Sequence, residues 1–108
     1  MESYFDRRKN YRLPKRLKTK ITVPRTSAEI DGFTDNISQG GAFILSPLFT
    51  DLEVDDQVSI GIFLPPKMTG QSQTLILNGP AVVKRTESNK KGVAVQFLIN
   101  LKAFEPSR

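Results

Sequence analysis

The 108-residue chain contains no cysteine and no histidine. Without cysteine there are no disulfides, thiol nucleophiles or thiolate metal sites. Without histidine the chain lacks the imidazole on which much general acid–base catalysis and most zinc sites depend. Serine nucleophiles fare little better, since Ser38 has no lysine or carboxylate placed nearby in the sequence to act as its base. A binding protein is therefore expected, not an enzyme, with no metal and no cofactor. No apolar run approaches the length of a membrane span, and Met1 to Asp6 lack the charged-then-apolar layout of a signal peptide. These absences predict a soluble, cytoplasmic protein with no membrane insertion. The missing cysteines suit a reducing compartment.

Acidic side chains are scarce where basic ones are dense. Residues 1–25 carry nine Lys and Arg against two acids, a net charge of +7, whereas residues 26–108 carry seven against nine, a net of −2. The asymmetry points to an anionic partner met at one end of the chain. Residues 1–14 show no periodicity and end at Pro14, so they predict a flexible basic arm, with residues 15–108 forming one domain large enough to build a core without staples.

That domain reads as strands. Leu17, Thr19, Ile21 and Val23 alternate with polar residues, and Pro24 closes the segment. Residues 28–37 predict a second strand interrupted by a turn or bulge near Asp31-Gly32, and residues 42–45 a short apolar third. The loop 48–56 holds Asp51, Glu53, Asp55 and Asp56 but lacks the glycine and terminal glutamate of a calcium loop, so it reads as a solvated acidic loop. Val58, Ile60, Ile62 and Leu64 mark a fourth strand, and residues 65–74 a polar hairpin loop. Residues 75–86 predict the longest strand, with a bulge or edge bend at Gly79-Pro80, and residues 92–97 its hairpin partner. Asn100 is placed to cap a short closing helix through Phe104. Six short strands with frequent turns describe an antiparallel barrel or sandwich.

The stretch with most chemical content is Asp35-Asn36-Ile37-Ser38-Gln39-Gly40-Gly41. Asn36 and Ser38 stand two apart, so an extended chain puts both on one face. Gly40 and Gly41 are expected to adopt positive φ and to let a ligand approach the main chain. In the arm, Arg8 and Arg12 are four apart in Arg8-Lys9-Asn10-Tyr11-Arg12. Guanidinium forks suit phosphate oxygens and the guanine edge, and their planes stack on purines.

An Arg-x-x-x-Arg pair, then a strand, then Asn-x-Ser-x-x-Gly, then a small β-rich body, resembles the PilZ domain, a bacterial receptor module for cyclic di-GMP. The resemblance runs from about Asp6 to Phe104, and the closing Gly92-Val-Ala-Val-Gln-Phe97 is similar to the family's last barrel strand. It implies an all-β fold, a six-stranded antiparallel β-barrel, with Arg8 and Arg12 clamping the ligand. Asn36 and Ser38 would offer polar contacts, Gly41 close backbone approach, and Gly40 and Lys9 would be neighbours. Arg7, directly before the first motif, implies two stacked, intercalated ligand molecules. Position 36 departs from the Asp of many members, replacing a charged acceptor with a neutral amide. The implied function is a stand-alone second-messenger receptor that signals in trans to an effector protein.

The competing reading is a small basic barrel that binds single-stranded nucleic acid along Arg7 to Arg16. Such a binder needs exposed aromatics on one sheet face. Only Phe63 and Phe97 fall well inside the expected strands, and both are expected in the core, which weighs against nucleic acid. A relative that has lost ligand binding is a third reading, which two intact motifs oppose.

Overall fold

The alternation of apolar and polar residues is realised as seven strands in a computed structural model that describes residues 16–70 and 72–107. Strands β1 (Lys18–Val23), β2 (Ala28–Ile37), β3 (Gly41–Leu45), β4 (Gln57–Leu64), β5 (Leu75–Glu87) and β6 (Gly92–Phe97) pair antiparallel in the order β4-β1-β2-β3-β6-β5. The ring closes because β5 pairs back onto β4 from Leu64↔Leu75 to Gln57↔Val82. A seventh strand, β7 (Glu105–Ser107), adds to β5 outside the ring. Closure leaves none of the six strands with a free edge along its paired length, and it points one side chain in two at a shared interior.

That interior is branched and aliphatic. Ile21, Ile30, Ile37, Ile44, Ile60 and Ile62 are all buried, as are Leu17, Thr19 and Val23 at the expected positions of β1. β-branched residues suit this setting, because their χ1 is already restricted and their bulk packs on a pleated surface. Beyond β6, Asn100 caps a single 3-10 turn, Leu101–Ala103, by accepting from the Lys102 amide at 3.0 Å. Leu101 and Phe104 close one end of the barrel, with the Phe104 ring edge-on to Phe97 at 4.9 Å between centroids.

Several expectations need correction. No bulge lies at Asp31-Gly32, where pairing with β1 runs unbroken from Lys18↔Phe33 to Val23↔Ala28. Gly32 is there because a Cβ would meet the Leu45 carbonyl oxygen at 2.6 Å. The irregularity in β2 falls at Asp35, between the pairs Thr34↔Ile44 and Asn36↔Phe43. Gly79-Pro80 likewise stays in register with β4, and the shift in β5 lies between Val83 and Arg85 on the β6 side. The missing Cβ of Gly79 makes room for the Phe104 ring, 2.4 Å from where that atom would sit. The carbonyl of Pro80 accepts from Leu98, so its nitrogen also faces away from β4 and no ladder bond to β4 is lost. The 65–74 loop contains a one-turn helix, α1 (Pro66–Thr69), with proline at its start and Gly70 left-handed at φ 73° at its end. The expected closing turn is a 3-10 turn that ends at Ala103, and β7 follows it.

Candidate functional site

Strand alternation alone would send Asn36 into the barrel. In β2, Ile30, Gly32 and Thr34 face inward, so the next inward position is 36. The extra residue at Asp35 resets the phase: Asp35 and Asn36 are both exposed, Ile37 is buried and Ser38 is exposed again. A β-bulge does this by setting two residues of one strand against one of its neighbour. Asn36 and Ser38 therefore share the outer face, as their spacing implied.

The turn after them is tied down from three sides. The Ser38 amide donates to the Gly41 carbonyl at 2.9 Å, and the Ser38 hydroxyl to the same oxygen at 3.4 Å. The Phe97 amide donates to the Gly40 carbonyl at 2.8 Å, and Leu101 to the Gln39 carbonyl at 3.0 Å. The hairpin tip is thus fixed to β6 and to the C-terminal turn, which lowers the entropy cost of using it as a binding surface. The two glycines do not take the positive φ expected of them; the one positive-φ glycine among the described residues is Gly70. A Cβ on Gly41 would lie 2.5 Å from the Val95 carbonyl oxygen, so that glycine serves the close approach of β6. A Cβ on Gly40 would meet nothing within 4 Å, so the space beside its Cα is open.

Arg7, Arg8, Lys9 and Arg12 lie outside the described residues. The root of the arm does not. Leu17 and Thr34 are bonded twice: the Thr34 amide donates to the Leu17 carbonyl, and the Leu17 amide to the Thr34 hydroxyl, both at 2.9 Å. Arg16 adds a long, exposed ion pair to Asp35 at 3.8 Å. The chain thus enters the barrel one residue before the bulge that turns Asn36 outward.

The acidic loop is pinned, not merely solvated. Arg25 donates to both carboxylate oxygens of Asp56, each at 2.9 Å, and the Glu53 amide donates to one of them at 2.9 Å. The arginine first, then that amide, hold the Asp56 carboxyl below its ordinary range. Among the described residues no three His, Cys, Asp or Glu side chains gather to hold a metal.

Phe97 is in the core as expected, but Phe63 is only half-buried and faces outward. Phe33, which the sequence reading did not single out, is 52% exposed. The parity of β2 carried that information, since Phe33 is three residues from buried Ile30.

The PilZ domain family matches residues 6–103. No curated protein matches the chain. Among solved structures the fold is similar to that of the Bacillus subtilis Inhibitor of motility (MotI/DgrA), with a TM-score of 0.64 and 20% identity over 87% of this chain. The chain spans less than half of that one, 44% of its length.

Proposed function

The chain belongs to the PilZ family, a family of cyclic di-GMP receptor modules and not of enzymes, and on that premise we propose that it binds cyclic di-GMP between its basic arm and the Asn36–Gly41 turn. The observation that carries the reading is the double hydrogen bond between Leu17 and Thr34, which roots the arm beside the bulge that presents Asn36 and Ser38. Arg12 is four residues upstream of Arg16. A fully extended chain covers at most about 3.3–3.6 Å per residue, so Arg12 stays within ~14 Å of Arg16 and ~18 Å of the root at Leu17. Arg8 and Arg12 grip phosphate and guanine, Asn36 and Ser38 offer a side-chain amide and hydroxyl, and Gly40 and Gly41 line the approach. Arg7 supports a mode with two stacked ligand molecules.

The energetics require several contacts at once. A hydrogen bond to a charged group contributes roughly 1.5–3 kcal/mol, while ordering the arm costs about 1–2 kcal/mol per residue. Binding therefore fails steeply when one clamp is removed. The output is an arm ordered by ligand against the barrel, read in the cytoplasm by a partner protein. Isothermal titration with cyclic di-GMP tests this. The parent chain saturates stoichiometrically, and Arg8→Ala or Arg12→Ala loses at least tenfold in affinity while the melting temperature of the free protein stays within a degree or two. Parent-like binding by both variants contradicts the clamp assignment.

A further inference from the structure

An aromatic and basic face lies on the outside of β1, β2 and β4. Lys18 pairs directly with Phe33 on β2. The register Thr19↔Ile62 and Lys20↔Gly61 carries on to set Lys18 beside Phe63 on β4. One row across three strands thus reads Phe33, Lys18, Phe63, with the outer two about two strand spacings apart, roughly 10 Å. The Lys18 ammonium stands over the Phe63 ring at 5.4 Å from its centroid. Phe33, Lys18 and Phe63 line an open cleft of about 450 Å³ with Arg16 and Pro65. Beside it, the missing side chain of Gly61 leaves a smaller hollow of about 160 Å³ between Lys20 and Phe63.

We infer that this face binds single-stranded nucleic acid, with bases stacked on Phe33 and Phe63 and phosphates met by Arg16, Lys18 and Lys20. Two features favour that occupant over an acidic protein. Aromatic rings exposed beside cations suit base stacking, which is tolerant of sequence because every base has a π-face. The sequence there is also rich in positive charge: residues 7–20 hold eight Lys and Arg and no acid, and of these Arg16 and Lys18 line the cleft. The acids on this face are Asp35 on Arg16, Glu29 on Lys20 and Asp31 across from Lys20, all exposed; the two ion pairs, at 3.8 Å and 3.5 Å, are ones phosphates can displace at little cost. The face adjoins the Asn36–Gly41 turn only through Arg16 and Asp35, its aromatic rings lie outside that turn, and the inference does not rest on cyclic di-GMP binding there.

The test is fluorescence anisotropy of the full chain with a labelled 12-nucleotide single-stranded DNA of mixed sequence, at several salt concentrations. Alongside it run the matching duplex and a 12-residue polyglutamate. Saturable binding is expected that weakens with salt and favours the single strand. Phe33→Ala and Phe63→Leu should each weaken it at least fivefold, and Lys18→Gln should lower the salt slope by about one. Phe33→Ala removes an exposed side chain, so its melting temperature and cyclic di-GMP titration should match the parent's. Four results overturn the inference: no saturation, parent-like binding by both phenylalanine variants, preference for polyglutamate, or loss of cyclic di-GMP affinity in Phe33→Ala.

Discussion

Asp56 illustrates how much one side chain can organise in a small barrel. Its two oxygens accept from Arg25 and from the Glu53 amide, joining the β1–β2 turn to the loop before β4. Because these donors hold its carboxyl below the ordinary range, the unfolded chain takes up the proton first as pH falls. The stabilisation is complete above the normal carboxylate value and is lost as pH falls through the depressed one. Asp56→Asn should therefore cost about 1 kcal/mol near neutral pH, since Arg25 is half-exposed and its share is screened. In urea titrations the gap between parent and variant should narrow from pH 7 towards pH 2. A constant gap would mean that the carboxylate charge is not what pins the loop. The tetrad Asp51, Glu53, Asp55 and Asp56 looked uniform in the sequence because nothing local marks which acid meets an arginine 31 residues away.

At the scale of elements, the C-terminal segment docks through one contact that glycine permits. A Cβ on Gly79 would fall 2.4 Å from the Phe104 ring, so Gly79→Ala should displace that ring and destabilise the domain by about 1–3 kcal/mol. Combined with Phe104→Leu, the change should cost clearly less than the sum of the two single variants in chemical denaturation. Additive costs would place the clash elsewhere. Strands β1, β4, β5 and β6 were legible because they carry apolar residues at period two, β3 because it is a short apolar run between turn residues, and the Asn100 cap because the residue type and the apolar positions after it agree. An irregularity in β2 was expected but misplaced, although the sequence bounds it: Ile30 and Ile37 are an odd number apart, so both can face inward only if one residue between them is extra. The Asp31-Gly32 pair drew the bulge away from Asp35, because glycine has the same local appearance whether it bends a strand or lets another strand close in. Strand β7, Glu105–Ser107, is exposed along its whole length and pairs with a distant strand, so it has no pattern to read.

The described residues form a closed barrel in which the Ser38–Gly41 turn is tied to Phe97 and Leu101, and Leu17 to Thr34. Those junctions are backbone hydrogen bonds between segments far apart in sequence, which is why the motif residues could be named from the chain while the support beneath them could not. On the proposed reading, association with an anionic dinucleotide is a local event at a turn already fixed to a stable body. Amide chemical-shift mapping of the labelled full chain during titration with cyclic di-GMP tests that picture most directly. The account predicts saturating shifts at Asn36, Ser38, Gln39, Gly40 and Gly41 together with Arg8 and Arg12, while Lys18, Phe33 and Phe63 stay in place. Shifts confined to the Phe33–Lys18–Phe63 face, or none at the Ser38 turn, would contradict it.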